Sequence, residues 1–365
     1  MKEVVRPGDR VLEIGAGLGT YSLFAAKAGA AKVWGIEGGP IVNVARAIAR
    51  DNGLDDRVEF IRGWYPGVTI PEPIDLLIFE DYPARLIDQW THGVLERLHG
   101  EVLAPDARVV PSRARMFLVP VFCPRNWEIV GSFAPEDDHA YGIDWSESRS
   151  YIYNTALQMP LEPGDFRHDP AIVADLDLSK LPSAEHLGGS AEWTFPERTT
   201  IHGVAYWFAL ELGADVWLTN EPGGEPGSWG YLYLPVAAPL TLEAGETLSA
   251  SVAPDASANG APTWLSWEIQ SPRERFRGHE FRSQPASRSD LVVGTPSWVP
   301  KLSRESGVEL VVLGLTDGER SVDDIGNEII GLGIAHSLEE ARTLVLAVLE
   351  GKTARSPRTA RTSGI

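Results

Sequence analysis

The sequence predicts an α/β chain built in three parts. A Rossmann-like parallel-sheet domain spans residues 1–111, an antiparallel β-barrel-like domain 112–285 and a small helical, winged-helix-like domain 286–351; a disordered tail follows at 352–365. Three observations carry this reading. A strand, a glycine turn and a helix open the chain, and strand and helix patterns then alternate. Near Pro111 the pattern changes to short β-branched and aromatic runs, and beyond residue 308 helical spacing with a cap signal returns.

The opening unit reads Val11-Leu12-Glu13-Ile14 as strand, Gly15 to Gly19 as turn and Tyr21 to Ala28 as helix. Further strands are expected at Lys32–Glu37, Arg57–Ile61 and Asp75–Phe79, with a helix at Ile41–Arg50 between the first two and another from about Ala84 to His99. Strands separated by helices imply a parallel sheet. Pro105, Pro111 and Pro120 then punctuate the chain, and the boundary falls near Pro111. The β domain is expected from Ala114–Val119, His202–Leu210, Val216–Thr219, Tyr231–Leu234 and Leu248–Val252, with turn residues between them. In the last part Val308–Leu315 reads as strand or helix, and Ser321, with Asp324 three residues on, caps a helix to Leu332; Ser337–Leu349 forms another.

Composition removes several classes of partner. No run of about eighteen apolar residues offers a membrane span, and the first residues have neither the apolar core nor the cleavage site of a secretory signal, so a cytoplasmic location is expected. Cys123 is the only cysteine, so no internal disulfide forms, and none of the eight histidines has metal-ligand spacing; no metal is expected. His92 and His99 fall on a predicted helix and are expected to be exposed. A formal net charge of −19 disfavours a nucleic-acid backbone, whose affinity comes from lysine and arginine, and favours a neutral or cationic substrate.

The glycine turn marks a binding site. Gly15, Gly17 and Gly19 let backbone approach a ligand closely at the start of a helix, where partial positive charge gathers. By itself such a loop serves a dinucleotide, S-adenosylmethionine or merely a tight turn. Glu13, two residues before the loop, can accept a bond from an ammonium group, and Glu37, closing the second strand, can hold both ribose hydroxyls.

Glu13 to Gly19, then Gly35-Ile36-Glu37, then Ile61-Arg62-Gly63-Trp64 resemble motifs of class I S-adenosylmethionine-dependent methyltransferases. Within that class, Phe24 to Ala30, Leu103-Ala104-Pro105-Asp106 and Val110-Pro111 resemble segments of protein arginine methyltransferases, and the likeness continues through the β domain to about residue 270. The resemblance implies S-adenosylmethionine as cofactor, with Glu13, Gly15, Ala16, Gly17, Gly19, Glu37, Gly38, Gly63 and Trp64 around it. It also implies two glutamates that grip a guanidinium. Glu80 matches the first, but the second position carries Gln89, with Asp88 beside it; Asp88 or Asp81 is the available substitute. Ser228 stands where the family has a histidine before Trp229, so Glu80, Asp88, Gln89 and Ser228 are the candidate catalytic set.

An amide imitates a carboxylate's bidentate grip on a guanidinium only weakly. The expected function is therefore methyl transfer to a nitrogen or oxygen of a peptide or small molecule in a biosynthetic setting, with arginine methylation as the alternative. A non-catalytic scaffold that retains the cofactor fold is the third reading, motivated by the incomplete clamp and by the nine residues before Arg10, too few for the lid helices of the family. A homodimer is the expected assembly, and the family's dimerisation arm would fall within 140–190. Leu315 to Ile325 also resembles a small peptide-recognition domain, with a structural cap as the competing reading.

Overall fold

The computed structural model describes residues 1–71, 73–132, 142–213, 216–224, 229–285 and 299–350. The chain divides into two units, Met1–Pro285 and Ala286–Ile365.

The first unit opens with β1 (Arg10–Ile14), α1 (Thr20–Lys27), β2 (Lys32–Glu37), α2 (Val42–Asp51), β3 (Val58–Arg62), β4 (Ile74–Phe79), α3 (Gln89–Arg97) and β5 (Leu103–Val110). All five strands are parallel, in the order β3-β2-β1-β4-β5. Both faces of this sheet are covered, which is why its strands read as continuous apolar runs. In β4, Leu76 and Ile78 join a core with Ala25 and Ala26 of α1 and Ala45 of α2, whereas Leu77 and Phe79 face a core shared with the β domain. Strand order reverses between β1 and β4, and at such a switch point the carboxyl ends of an open α/β sheet leave a crevice.

Two sequence expectations change here. The fifth strand, β5, was hidden by Pro105, read as punctuation; an outermost strand tolerates a proline, and the β4–β5 register shifts between Ile74 and Leu76. The helix expected from Ala84 begins only at Gln89, because the Asp88 carboxylate accepts the Thr91 N–H (2.8 Å) and caps the helix there. Residues 80–88 thereby become a loop. Within α3, His92 is buried at 2% exposure rather than exposed, and burial lowers its pKa; His99 is half-buried.

The β domain follows as β6 (Arg113–Val121), α4 (Pro124–Ser132), α5 (Ser146–Ile152), β7 (Ala171–Asp177), β8 (Gly189–Thr194), β9 (Thr199–Gly213), β10 (Val216–Thr219), β11 (Leu232–Leu242), β12 (Thr247–Ala256), β13 (Pro262–Gln270) and β14 (Arg275–His279). These strands form two antiparallel sheets, β10-β9-β6-β7 with β11 also on β9, and β14-β13-β12-β8. Met116, Tyr206 and Phe208 from one sheet and Ala250, Leu265 and Trp267 from the other share a core with Leu12, Ile14 and Phe79 of the parallel sheet. That continuity fixes the two parts of this unit against each other.

The described part of the second unit consists of α6 (Arg304–Leu315), α7 (Val322–Gly331) and α8 (Leu338–Leu349), around Val312, Ile325, Ile329, Ala341 and Val345. Val308–Leu315 is thus helical. Ser321 and Asp324 cap each other's backbone as the sequence pattern predicts. No strand of a winged helix occurs among the described residues, and the predicted tail at 352–365 lies outside them. No described helix is long and apolar enough to cross a membrane.

Candidate active site

The switch-point crevice has a volume of roughly 280 Å³ and is built from strand ends: Ile14 closing β1 and Gly15 after it, Ile36 and Glu37 at the end of β2, Gly63 after β3, Glu80 and Asp81 after β4. Trp64, exposed at 63%, meets Trp90 edge-on at 6.4 Å, and both rings line it. Among the described lining residues there are three carboxylates, Glu37, Glu80 and Asp81, and no lysine, arginine or histidine. Such a crevice suits a ligand with positive charge.

Of the predicted cofactor residues, Gly15, Gly17, Glu37, Gly38, Gly63 and Trp64 line this crevice. Gly15 holds a left-handed φ of 80, which a side chain would strain, and a Cβ there would sit tightly at 3.3 Å from the Asp81 Cβ and in contact at 3.5 Å with Glu80 Oε2. A Cβ at Gly38 would meet the Trp64 ring at 2.3 Å. The Glu37 carboxylate accepts the amides of Gly17 (2.9 Å) and Gly39 (2.5 Å), which fixes it at the mouth of the glycine loop.

Glu13, Ala16 and Gly19 do not line the crevice. Glu13 is 1% exposed and accepts bonds from the Ser22 N–H (2.7 Å) and hydroxyl, so it anchors α1. Burial raises its pKa to about 7 against the opposing effect of those bonds. The Gly15 and Ala16 amides donate to the Ile36 carbonyl, at 3.1 and 2.9 Å, and hold the loop against β2. Gly19 is needed for packing, because a Cβ there would strike the Phe60 ring at 2.1 Å. The sequence pattern located the loop correctly but could not say which of its atoms were already engaged.

The predicted catalytic set is divided. Glu80 lines the crevice, and its carbonyl accepts the Trp229 indole N–H at 3.1 Å, so the β domain fixes the start of the acidic loop. Asp88 and Gln89 instead line a neighbouring cavity with Arg85 and Trp264, and Asp88 is engaged in capping α3. Ser228 lies outside the described residues. The carboxylate beside Glu80 in the crevice is Asp81, whose pKa is raised by burial and then by Glu37 and Asp88.

One anchor of this loop had no sequence signal. The Arg85 guanidinium makes two bonds to the Glu280 carboxylate (2.7 and 2.6 Å), and Glu280, 7% exposed, also accepts the Leu265 N–H at 2.8 Å. The partners are 195 residues apart in sequence, and only folding brings them together. Among the described residues no group of three His, Cys, Asp or Glu side chains is arranged to hold a metal ion.

Fold and crevice together define the class: a methyltransferase-type α/β domain continuous with an antiparallel β domain, the architecture of the protein arginine methyltransferases. Comparison with known proteins gives the particular resemblance. The chain is 28% identical over 234 residues to protein arginine N-methyltransferase 6 of Xenopus laevis, covering 61% of this chain and 68% of that protein. It is 26% identical over 275 residues to protein arginine N-methyltransferase PRMT10 of Arabidopsis thaliana, covering 66% and 71%. Among solved structures, the Trypanosoma brucei PRMT1 enzyme–prozyme heterotetrameric complex with AdoHcy superposes with a TM-score of 0.65 at 21% identity, over 76% of this chain and 90% of that one. The open conformation of Arabidopsis thaliana protein arginine methyltransferase 10 gives 0.61 at 25% identity, with the same coverage. No family model matches the chain.

Proposed function

We propose that this chain is an S-adenosylmethionine-dependent methyltransferase acting on the guanidinium of arginine in a protein or peptide. The observation that carries the reading is the crevice with three carboxylates and no cationic residue among its described lining, at the switch point of a fold shared with protein arginine methyltransferases. The activity for which the relatives are named favours arginine over the broader peptide or small-molecule acceptor that Gln89 suggests.

The residues present fit the cofactor. Glu37 ends β2 beside the glycine loop, where a carboxylate serves ribose hydroxyls, and Gly15, Gly17, Gly38 and Gly63 leave space that side chains would fill. When bound, S-adenosylmethionine supplies an electrophilic methyl carbon on a sulfonium. The protein's part is then mainly positioning and charge. Glu80 holds the guanidinium and keeps electron density on the nitrogen that attacks. Asp81 supplies the second carboxylate in place of Gln89 and, with its raised pKa, is suited to take the proton the nitrogen sheds.

The test is mass spectrometry after incubation with S-adenosylmethionine and peptides that contain or lack arginine. A methylated guanidinium with stoichiometric adenosylhomocysteine is the expected outcome. Methyl groups on hydroxyls or amines, with arginine untouched, would return the broader acceptor reading. A second copy of the chain is the proposed partner. The segment between β6 and β7 carries exposed Ile129, Ile143, Trp145 and Tyr151, an apolar set that association would cover. Equilibrium sedimentation as a monomer throughout the micromolar range would argue against it.

A further inference from the structure

A second cavity, of roughly 440 Å³, is also lined by Glu80. Its volume is in the range of small-ligand sites. The two cavities share a single described residue, Glu80, and its geometry ties it to both. Its Oε2 lies 3.5 Å from where a Cβ on Gly15 of the crevice would sit, and its carbonyl accepts the indole N–H of Trp229, which lines the second cavity, at 3.1 Å.

The walls of this cavity differ from those of the crevice. Tyr21 and Phe24 of α1 face it from the parallel-sheet domain, and Leu212, Leu218 and Trp229 face it from the β domain. Phe24 and Leu218 are 53% and 39% exposed, so large apolar surface stands open in the cavity that Glu80 lines. Tyr21 and Phe24, three residues apart, share one face of α1. The charged residues in its lining are Lys2, Glu3 and Glu80.

We propose that this cavity binds the part of the acceptor next to the methylated group, and that the preferred substrate is a peptide in which large apolar residues flank the target arginine. The inference rests on the arginine reading above and deepens it. A guanidinium held at Glu80 adjoins both an apolar, partly open pocket and the cofactor crevice. A glycine-flanked arginine would leave that apolar surface in water. A leucine or phenylalanine neighbour would bury it, and removing that apolar area from water favours the bound peptide.

The experiment compares two peptides of equal length and charge, one with glycine and one with leucine and phenylalanine around a single arginine. Methylation kinetics are paired with binding, read from tryptophan fluorescence in the presence of adenosylhomocysteine. The apolar peptide is expected to show at least tenfold higher kcat/KM, carried by KM, and correspondingly tighter binding. Phe24→Ser and Leu218→Asp, at positions exposed enough to tolerate change, should reduce that ratio to below threefold. Equal kcat/KM for the two peptides in the parent protein, or a preference that survives both substitutions, overturns the proposal while the arginine reading stands. Apolar-peptide binding that depends on Phe24 and Leu218, with no methylation of arginine, would sink the arginine reading and uphold the pocket. Absence of both binding and methylation removes both.

Discussion

Breaking the Arg85–Glu280 pair should destabilise the first unit and misplace the acidic loop together. In Arg85→Met the Glu280 carboxylate, 7% exposed, keeps the Leu265 N–H as donor and loses both guanidinium bonds. Removing one partner of a buried pair costs about 3–5 kcal/mol. The Arg85 side chain is 26% exposed, so water reaches part of the site and the expected loss falls to about 2–4 kcal/mol. Glu280→Gln still accepts from Leu265 but turns an amide N–H toward the guanidinium, at a cost of about 1–2 kcal/mol. The double variant should cost less than the sum of the singles, with a coupling of about 1–3 kcal/mol. Urea unfolding followed by tryptophan fluorescence measures all three. Because Arg85 lies between Glu80 and Asp88, methyl transfer should fall further than cofactor affinity. Strict additivity, or a loss below about 0.5 kcal/mol in Arg85→Met, would refute the claim that this pair anchors the loop.

Three further outcomes are expected. Glu37→Ala should weaken S-adenosylmethionine binding by about 1.5–3 kcal/mol, the scale of charged hydrogen bonds; an unchanged dissociation constant by calorimetry would count against the ribose role. Glu13 takes up its proton near 7 in the folded chain, against an ordinary 4.5, so the stability it contributes is complete below 4.5 and lost as pH rises through 7. Glu13→Gln should therefore gain roughly 2–3 kcal/mol over the parent near pH 8 and nothing near pH 4.5, and a pH-independent difference in denaturation would contradict this. Asp81→Asn should raise KM for an arginine peptide at least tenfold with a change in cofactor affinity below threefold, and should remove the acidic limb of the pH profile. A parent-like KM would exclude Asp81 from acceptor binding.

Much of the scaffold was legible because both faces of the parallel sheet are buried, so Val11, Leu12 and Ile14 and the run Leu76–Phe79 had to be apolar whatever packed on them. The β domain was legible by class but not by element. Gly189–Thr194 and Arg275–His279 alternate polar and apolar residues on exposed strands and went unread. Inside the site, Glu37 and the glycines Gly15, Gly17, Gly38 and Gly63 could be read because strand ends and tight turns leave a local signature. Glu13 and Gly19 carry the same signature, and folding sets Glu13 against Ser22 and Gly19 against Phe60. Gln89 is matched by counting residues from Glu80, and counting does not show that it opens α3 behind the Asp88 cap and lines the neighbouring cavity.

The sequence alone determined the glycine turn, the alternation of strands and helices that makes the sheet parallel, and an excess of carboxylates, because these follow from short-range backbone geometry and from composition. Tertiary structure decided which carboxylates face the crevice, which anchor a helix or a loop, and that an apolar cavity adjoins Glu80. Those facts depend on contacts such as Trp229 with Glu80 and Arg85 with Glu280, made between residues too distant along the chain for any local pattern to encode them.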